Sequence, residues 1–187
     1  MTVKSISPGQ GSTKLLAKLK SMNVDVQACF QCGRCSSGCP VTEFFDLTTM
    51  EVVRLAAYGM EDQLLTSSTI WLCAACETCA SRCPNDIDIA VLMDVLRELA
   101  LRKGITSAEP RVPVFHQSFL DSIHHWGRAY EVGLIAGYKL RSGDVTGDMK
   151  LGVKMFTRGK LGLLPHPIKG KTEIKKIFSG TGKEYER

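Results

Sequence analysis

Cys29–Pro40 reads CFQCGRCSSGCP and Cys73–Pro84 reads CAACETCASRCP, and together they hold all eight cysteines of the 187-residue chain. Both follow the pattern C-x-x-C-x-x-C-x-x-x-C-P. Disulfides, zinc sites and iron–sulfur clusters all use closely spaced thiols. Disulfides belong to oxidising compartments and to small secreted folds with too little core of their own. The N-terminal residues MTVKSISPGQGSTKLL contain no apolar run of the signal-peptide kind. No stretch approaches the roughly 18 apolar residues that cross a bilayer. A cytoplasmic chain with reduced thiols and no transmembrane segment is therefore expected. Zinc knuckles come as two cysteines plus two, across a loop of about a dozen residues or more. Here the four thiols of each run are crowded together.

Three cysteines at steps of three can surround one corner of a cuboidal cluster and reach three different irons. The fourth thiolate of the run is then too constrained to close that same cluster. This is the spacing of two-cluster ferredoxins, where the fourth cysteine of each run ligates the other cluster. The expectation is two [4Fe–4S] clusters. Cluster one takes Cys29, Cys32, Cys35 and Cys83, and cluster two takes Cys73, Cys76, Cys79 and Cys39. With every iron held by a thiolate and none left open, such sites suit outer-sphere electron transfer and not bond-making at the metal.

The intervening residues fit. Gly33 and Gly38 allow close backbone approach and positive φ where a turn demands it. Ser36, Ser37, Ala74, Ala75, Thr78, Ala80 and Ser81 leave amide groups free to donate to sulfur, which helps set a potential. Pro40 and Pro84 redirect the chain after each fourth cysteine. Arg34 and Arg82 flank the expected ligands of cluster one, and Glu77 lies among those of cluster two.

Around the runs the pattern is helical. Between Cys39 and Cys73 there are 33 residues. Among them LTTMEVVRLAAYG offers Thr48 and Glu51 as a capping box, Leu47 and Val52 as a staple, and Gly59 as a stop. DIDIAVLMDVLRELALRKG offers Asp88 as N-cap, Leu92, Val95, Leu96 and Leu99 as one apolar stripe, and Gly104 as a stop. KLLAKLKSM is a short amphipathic helix, and Phe115, Phe119, Ile123 and Trp126 form a further stripe after Pro113, expected as core. Trp71 reads as a shield beside the second run. GLIAG at 133–137 sits in a helical context and is no dinucleotide fingerprint. His116, His124, His125 and His166 form no ligand-like group, and no nucleophile–base constellation is present. With no segment of period two, the fold class is all-α, with the clusters held between helices.

Charge is uneven. Residues 139–187 carry 12 Lys and Arg against 5 Asp and Glu, whereas residues 1–138 carry 12 against 14. The expected organisation is a flexible segment at 1–13, a helical di-cluster domain at 14–141 and an extended basic arm at 142–187. That arm lacks the aromatics of a nucleic-acid module. Its Leu161, Leu163, Leu164, Ile168, Ile174, Ile177 and Phe178 suit docking on a protein partner.

The two cysteine runs, the helical linker and the basic GKLGLLPHPIKG segment at 159–170 together resemble the C-type, iron–sulfur subunit of the heterodisulfide reductase of methanogenic archaea. Similar helical modules in succinate dehydrogenase carry an added [2Fe–2S] domain, for which no cysteines remain here. Glycerol-3-phosphate and glycolate oxidising relatives carry paired Cys-Cys-Gly motifs, and this chain has no adjacent cysteines. The resemblance implies an α-helical ferredoxin fold in a chain that relays electrons and has no substrate site. A flavin-containing (A-type) subunit would supply the electrons. A catalytic (B-type) subunit would reduce the mixed disulfide of coenzyme M and coenzyme B in methanogenesis, with a hydrogenase or formate dehydrogenase feeding the assembly. The alternatives are an iron–sulfur subunit of another flavin-dependent dehydrogenase, a freely diffusing 2[4Fe–4S] carrier, or a structural cluster or zinc module.

Overall fold

A computed structural model describes residues 12–105, 108–143, 152, 154–155, 157–159 and 168–184. Every regular element among them is helical, and no strand occurs there. The chain divides into two compact units, Met1–Pro110 and Arg111–Arg187.

In the first unit, α1 (Thr13–Ser21) starts where the Ser12 side chain accepts from the Leu15 amide, and it buries Leu15 and Leu19 one turn apart. Its start is tied down by the Ser12 amide, which donates to Gly59 O at 2.8 Å. Helix α2 (Arg34–Ser37) lies within the first cysteine run and α6 (Thr78–Ser81) within the second, and the two pack on each other. Helix α3 (Thr49–Ala57) carries the full capping box: Thr48 Oγ1 accepts from the Glu51 amide, and Glu51 Oε2 accepts from the Thr48 amide at 2.8 Å. It buries Val52, Val53 and Ala56, and Gly59 leaves it at φ +66°. Helices α4 (Glu61–Thr66) and α5 (Thr69–Leu72) add Leu64, Leu65, Ile70 and Trp71 to the core.

Helix α7 (Ile89–Arg102) is capped by Asp88, which accepts from the Val91 amide at 3.0 Å. It buries Leu92, Met93, Val95, Leu96 and Ala100, while Leu99 is only half-buried. It packs on α3, α4, α5 and α6. Each fully buried leucine here contributes about 1.5–3 kcal/mol. This helix is the wall against which both cysteine runs are set.

In the second unit, α8 (Arg111–Trp126) packs on α9 (Glu131–Ser142), joined by a Phe115–Tyr138 edge contact and an Arg141–Asp121 ion pair of 2.7 Å. Lys171–Glu184 forms α10, a helix and not an extended arm. It lies on α8, with the Phe178 ring 5.1 Å from His124 and Lys171 Nζ 5.5 Å from the Trp126 ring. Phe115 and Phe119 remain 43% and 37% exposed, and only Ser118 and Ser122 of α8 are buried. The stripe expected as core is thus partly open. Leu161, Leu163, Leu164, His166 and residues 1–11 of the expected N-terminal segment lie outside the described residues. No helix among the described residues is long and apolar enough to cross a membrane.

Candidate functional site

The two runs wind alike. Gln31 (φ +56°) and Gly33 (φ +74°) hold the left-handed conformation in the first, and Ala75 (φ +50°) and Glu77 (φ +59°) hold it at the matching positions of the second. Left-handed residues beside right-handed ones turn successive amides the same way, toward the sulfurs. The Gln31 amide donates to Cys29 Sγ at 3.4 Å, and Thr78 Oγ1 lies 3.4 Å from Cys76 Sγ. Gly38, by contrast, sits at φ −97°. Its missing side chain matters for space: a Cβ there would lie 2.5 Å from Arg82 Nη1. Arg82 occupies the position in the second run that Gly38 occupies in the first. The sequence placed Arg82 at cluster one, but the fold lays its guanidinium over Gly38, the neighbour of Cys39.

Two cavities result. Cavity one is lined by Cys29, Cys32, Cys35 and Cys83 and has an open volume of about 360 Å³. Cavity two is lined by Cys39, Cys73, Cys76 and Cys79 and has about 370 Å³, each figure including the mouth. Each thus draws three thiols from one run and the fourth from the other. Helix α3 serves both, giving Thr49 to cavity two and Met50 and Val53 to cavity one; α7 likewise gives Ala90 and Met93 to one side and Ile89 to the other. Trp71 is buried but lines neither cavity.

Contacts between the runs hold this exchange. The Asn85 side-chain amide donates to Ala28 O, tying the end of the second run to the start of the first. Ser36 Oγ accepts from the Met50 amide at 2.9 Å, fastening the first run to the start of α3. Asp46 clamps the approach to the second run. Its carboxylate accepts from Ser67 Oγ (2.6 Å), the Ser68 amide (3.0 Å), the Thr69 amide (3.0 Å) and Thr69 Oγ1 (2.8 Å). Burial alone would raise the Asp46 pKa, but these donors win and hold it at about 2.

Burial dominates the thiols that line the interior. It raises Cys35 and Cys73, and pushes Cys79 up to about 11 against the opposing Ala80 amide. At exposed Cys76, hydrogen bonds from the Thr78 side chain and amide lower the pKa. Half-buried thiols with raised pKa suit ligands that iron deprotonates on binding. Among the described residues, no three His, Cys, Asp or Glu converge tightly enough to hold a single metal ion. A tetrahedral zinc with Zn–S bonds of about 2.3 Å needs such convergence. Four thiols spread around a cavity fit a polynuclear cluster instead.

Residues 28–88 match the family described as 4Fe-4S dicluster domain. This chain carries two [4Fe–4S] clusters. The C-type subunit of a ferredoxin:CoB-CoM heterodisulfide reductase of Methanosarcina mazei is 38% identical over 100 residues, 54% of this chain and 62% of that protein. A C-type iron–sulfur subunit of the CoB–CoM heterodisulfide reductase of Methanocaldococcus jannaschii is 39% identical over 79 residues, 42% of either chain. The C-type subunit of a ferredoxin:CoB-CoM heterodisulfide reductase of Methanosarcina acetivorans is 30% identical over 166 residues, 86% of this chain and 64% of its own length. The chain therefore matches between 42% and 64% of the length of these relatives. The similarity to the iron–sulfur subunit of heterodisulfide reductases, read first from the cysteine runs, holds. Around the dicluster domain, the capping residues and apolar stripes of the first unit were legible in the sequence. Asp46, Asn85 and Thr49 were not, because nothing local marks a residue whose partners lie across a cavity or more than 20 positions away.

Proposed function

We propose that this chain is the electron-relay subunit of a heterodisulfide reductase complex, itself without a substrate site. Cluster one would be held by Cys29, Cys32, Cys35 and Cys83, and cluster two by Cys73, Cys76, Cys79 and Cys39. The observation that carries this reading is the three-plus-one lining of each cavity. When bound, such clusters take up and release single electrons. The protein's own part is placement. Cys32 and Cys76 are exposed and set the outer edge of each site at the surface, while Cys35 lies near enough to Cys79 to act on its charge. Ordered this way, the chain offers two outward edges to partners and a short inner gap between sites.

The partners in this proposal lie in the cytoplasm. A flavin-containing (A-type) subunit is the donor, and a catalytic (B-type) subunit reduces the coenzyme M–coenzyme B heterodisulfide. A hydrogenase or formate dehydrogenase would feed the assembly. Residues 142–187 would form the docking element. Exposed Leu140 just before them and Ile177 within them, together with their excess of Lys and Arg, support that role. Anaerobic affinity purification of the full chain tests the whole reading. Recovery of a flavoprotein and a Cys-Cys-Gly protein, lost on truncation after Arg141 while both clusters persist, is the expected result. Recovery of a different flavin dehydrogenase would move the chain to that enzyme, and migration as a free monomer would make it a diffusing carrier.

A further inference from the structure

Thr49 opens α3 and lines cavity two. The residue is 2% exposed, and its hydroxyl has no hydrogen-bond partner in the protein. Buried hydroxyls are almost always satisfied, and a helical threonine can use a carbonyl one turn back. Nearby hydroxyls are satisfied: Thr48 Oγ1 donates to Glu51 Oε2, and Thr69 Oγ1 has Asp46 Oδ1 and Leu47 O within reach of its single proton. Besides the four cysteines, the cavity wall is Val41, Phe45, Ala74, Ala75, Ala90 and Met93, which offer no side-chain oxygen, with Glu77 and Thr78, whose hydroxyl lies 3.4 Å from Cys76 Sγ. The four thiol sulfurs of this cavity are acceptors to which the Thr49 hydroxyl can turn. Cavity one has no counterpart, since α3 presents Met50 and Val53 there.

We propose that the Thr49 hydroxyl donates a hydrogen bond to a sulfur at the cluster held in cavity two, and so raises that cluster's reduction potential relative to an otherwise equivalent site. This rests on cavity two being the second cluster's seat. Reduction adds negative charge, so a donor to sulfur stabilises the reduced form more than the oxidised one. Thr49 is a positioning residue: it ligates no iron and leaves the electron's arrival and departure unchanged.

Redox titration of the purified holoprotein, followed by electron paramagnetic resonance, tests it, with cluster one as internal control. Thr49→Val should lower the midpoint of cluster two by up to about tenfold in the reduction equilibrium, which is about 59 mV for one electron, and leave cluster one in place. Thr49→Ser should keep the wild-type value. Pulsed measurements of exchangeable deuterons in wild type should show a strongly coupled one at cluster two that Thr49→Val lacks. An unmoved midpoint, or equal shifts of both clusters, overturns the proposal. If Thr49→Val fails to hold cluster two, the wild-type deuteron signal and the serine variant still decide. Failure of the underlying reading looks different: iron and sulfide in wild type would fall short of two clusters.

Discussion

Cavity one sets Arg34 and Asn85 beside its four thiols, whereas cavity two sets Glu77, Thr78 and the buried Thr49 beside an equivalent four. Arg97 of α7 also bears on Cys73 by its charge, and the Arg82 guanidinium lies over Gly38 next to Cys39. The repeated positions, the cysteines and the left-handed pairs, build the same ligand frame twice. The unrepeated positions decide how each frame differs in polarity and charge. Two sites of one geometry can in this way hold different potentials.

The most severe way to break the comparison is to remove a shared thiol. Cys39→Ser should cost the cluster of the second run, so its spectrum should match that of Cys76→Ser and not that of Cys32→Ser. A match with Cys32→Ser would mean that each run ligates its own cluster. Next in size is the clamp that only the second run possesses. Asp46→Ala removes four hydrogen bonds to a carboxylate. After allowance for solvent at this site, thermal or denaturant unfolding should register a loss of roughly 1–2 kcal/mol. Cluster two, reached through Thr69–Leu72, should be lost from the variant before cluster one. Because the folded Asp46 pKa lies at about 2, below the ordinary 3.8, this contribution is complete above about pH 4 and drains away as pH falls toward 2. A stability profile of Asp46→Asn that still tracks wild type between those limits would remove Asp46 from that role.

The smallest effect exchanges the matched left-handed positions. Gly33→Ala places a Cβ at φ +74° with open space around it. It should destabilise by about 1 kcal/mol from backbone strain alone. Glu77→Gly relieves the same strain at φ +59° and should be neutral or stabilising by a few tenths of a kcal/mol. Unfolding midpoints that move in the same direction for both substitutions would show that the runs are not conformational equivalents.

How far the sequence revealed this molecule depended on the range of each signal. The Thr48–Glu51 box, the Asp88 cap and the glycines at 59 and 104 act within one turn of helix, and each was readable where it stood. The Leu92, Val95 and Leu96 stripe was readable too, because helical periodicity projects it onto one face. The same periodicity misled at Phe115 and Phe119, since a stripe shows that a face is apolar and not that enough neighbours exist to cover it. At the candidate site, the cysteine spacing carried the chemistry. The Asp46 clamp on Ser67 and Thr69 and the orphan hydroxyl of Thr49 are properties of packing, and no spacing rule encodes them.

The contact between Gly38 and Arg82 bears on how such a repeat can be inherited. Two copies of the first run would set glycine against glycine and leave the room of a guanidinium unfilled. With two copies of the second run, the side chain at residue 38 would put a Cβ 2.5 Å from Arg82 Nη1, and that guanidinium would have to swing aside. Glycine in one run and arginine in the other let this locus serve as hole and knob without any such displacement. The twelve-residue strings therefore look like repeats on paper but meet at this locus as a fitted pair, and overwriting the first with the second would displace the Arg82 side chain.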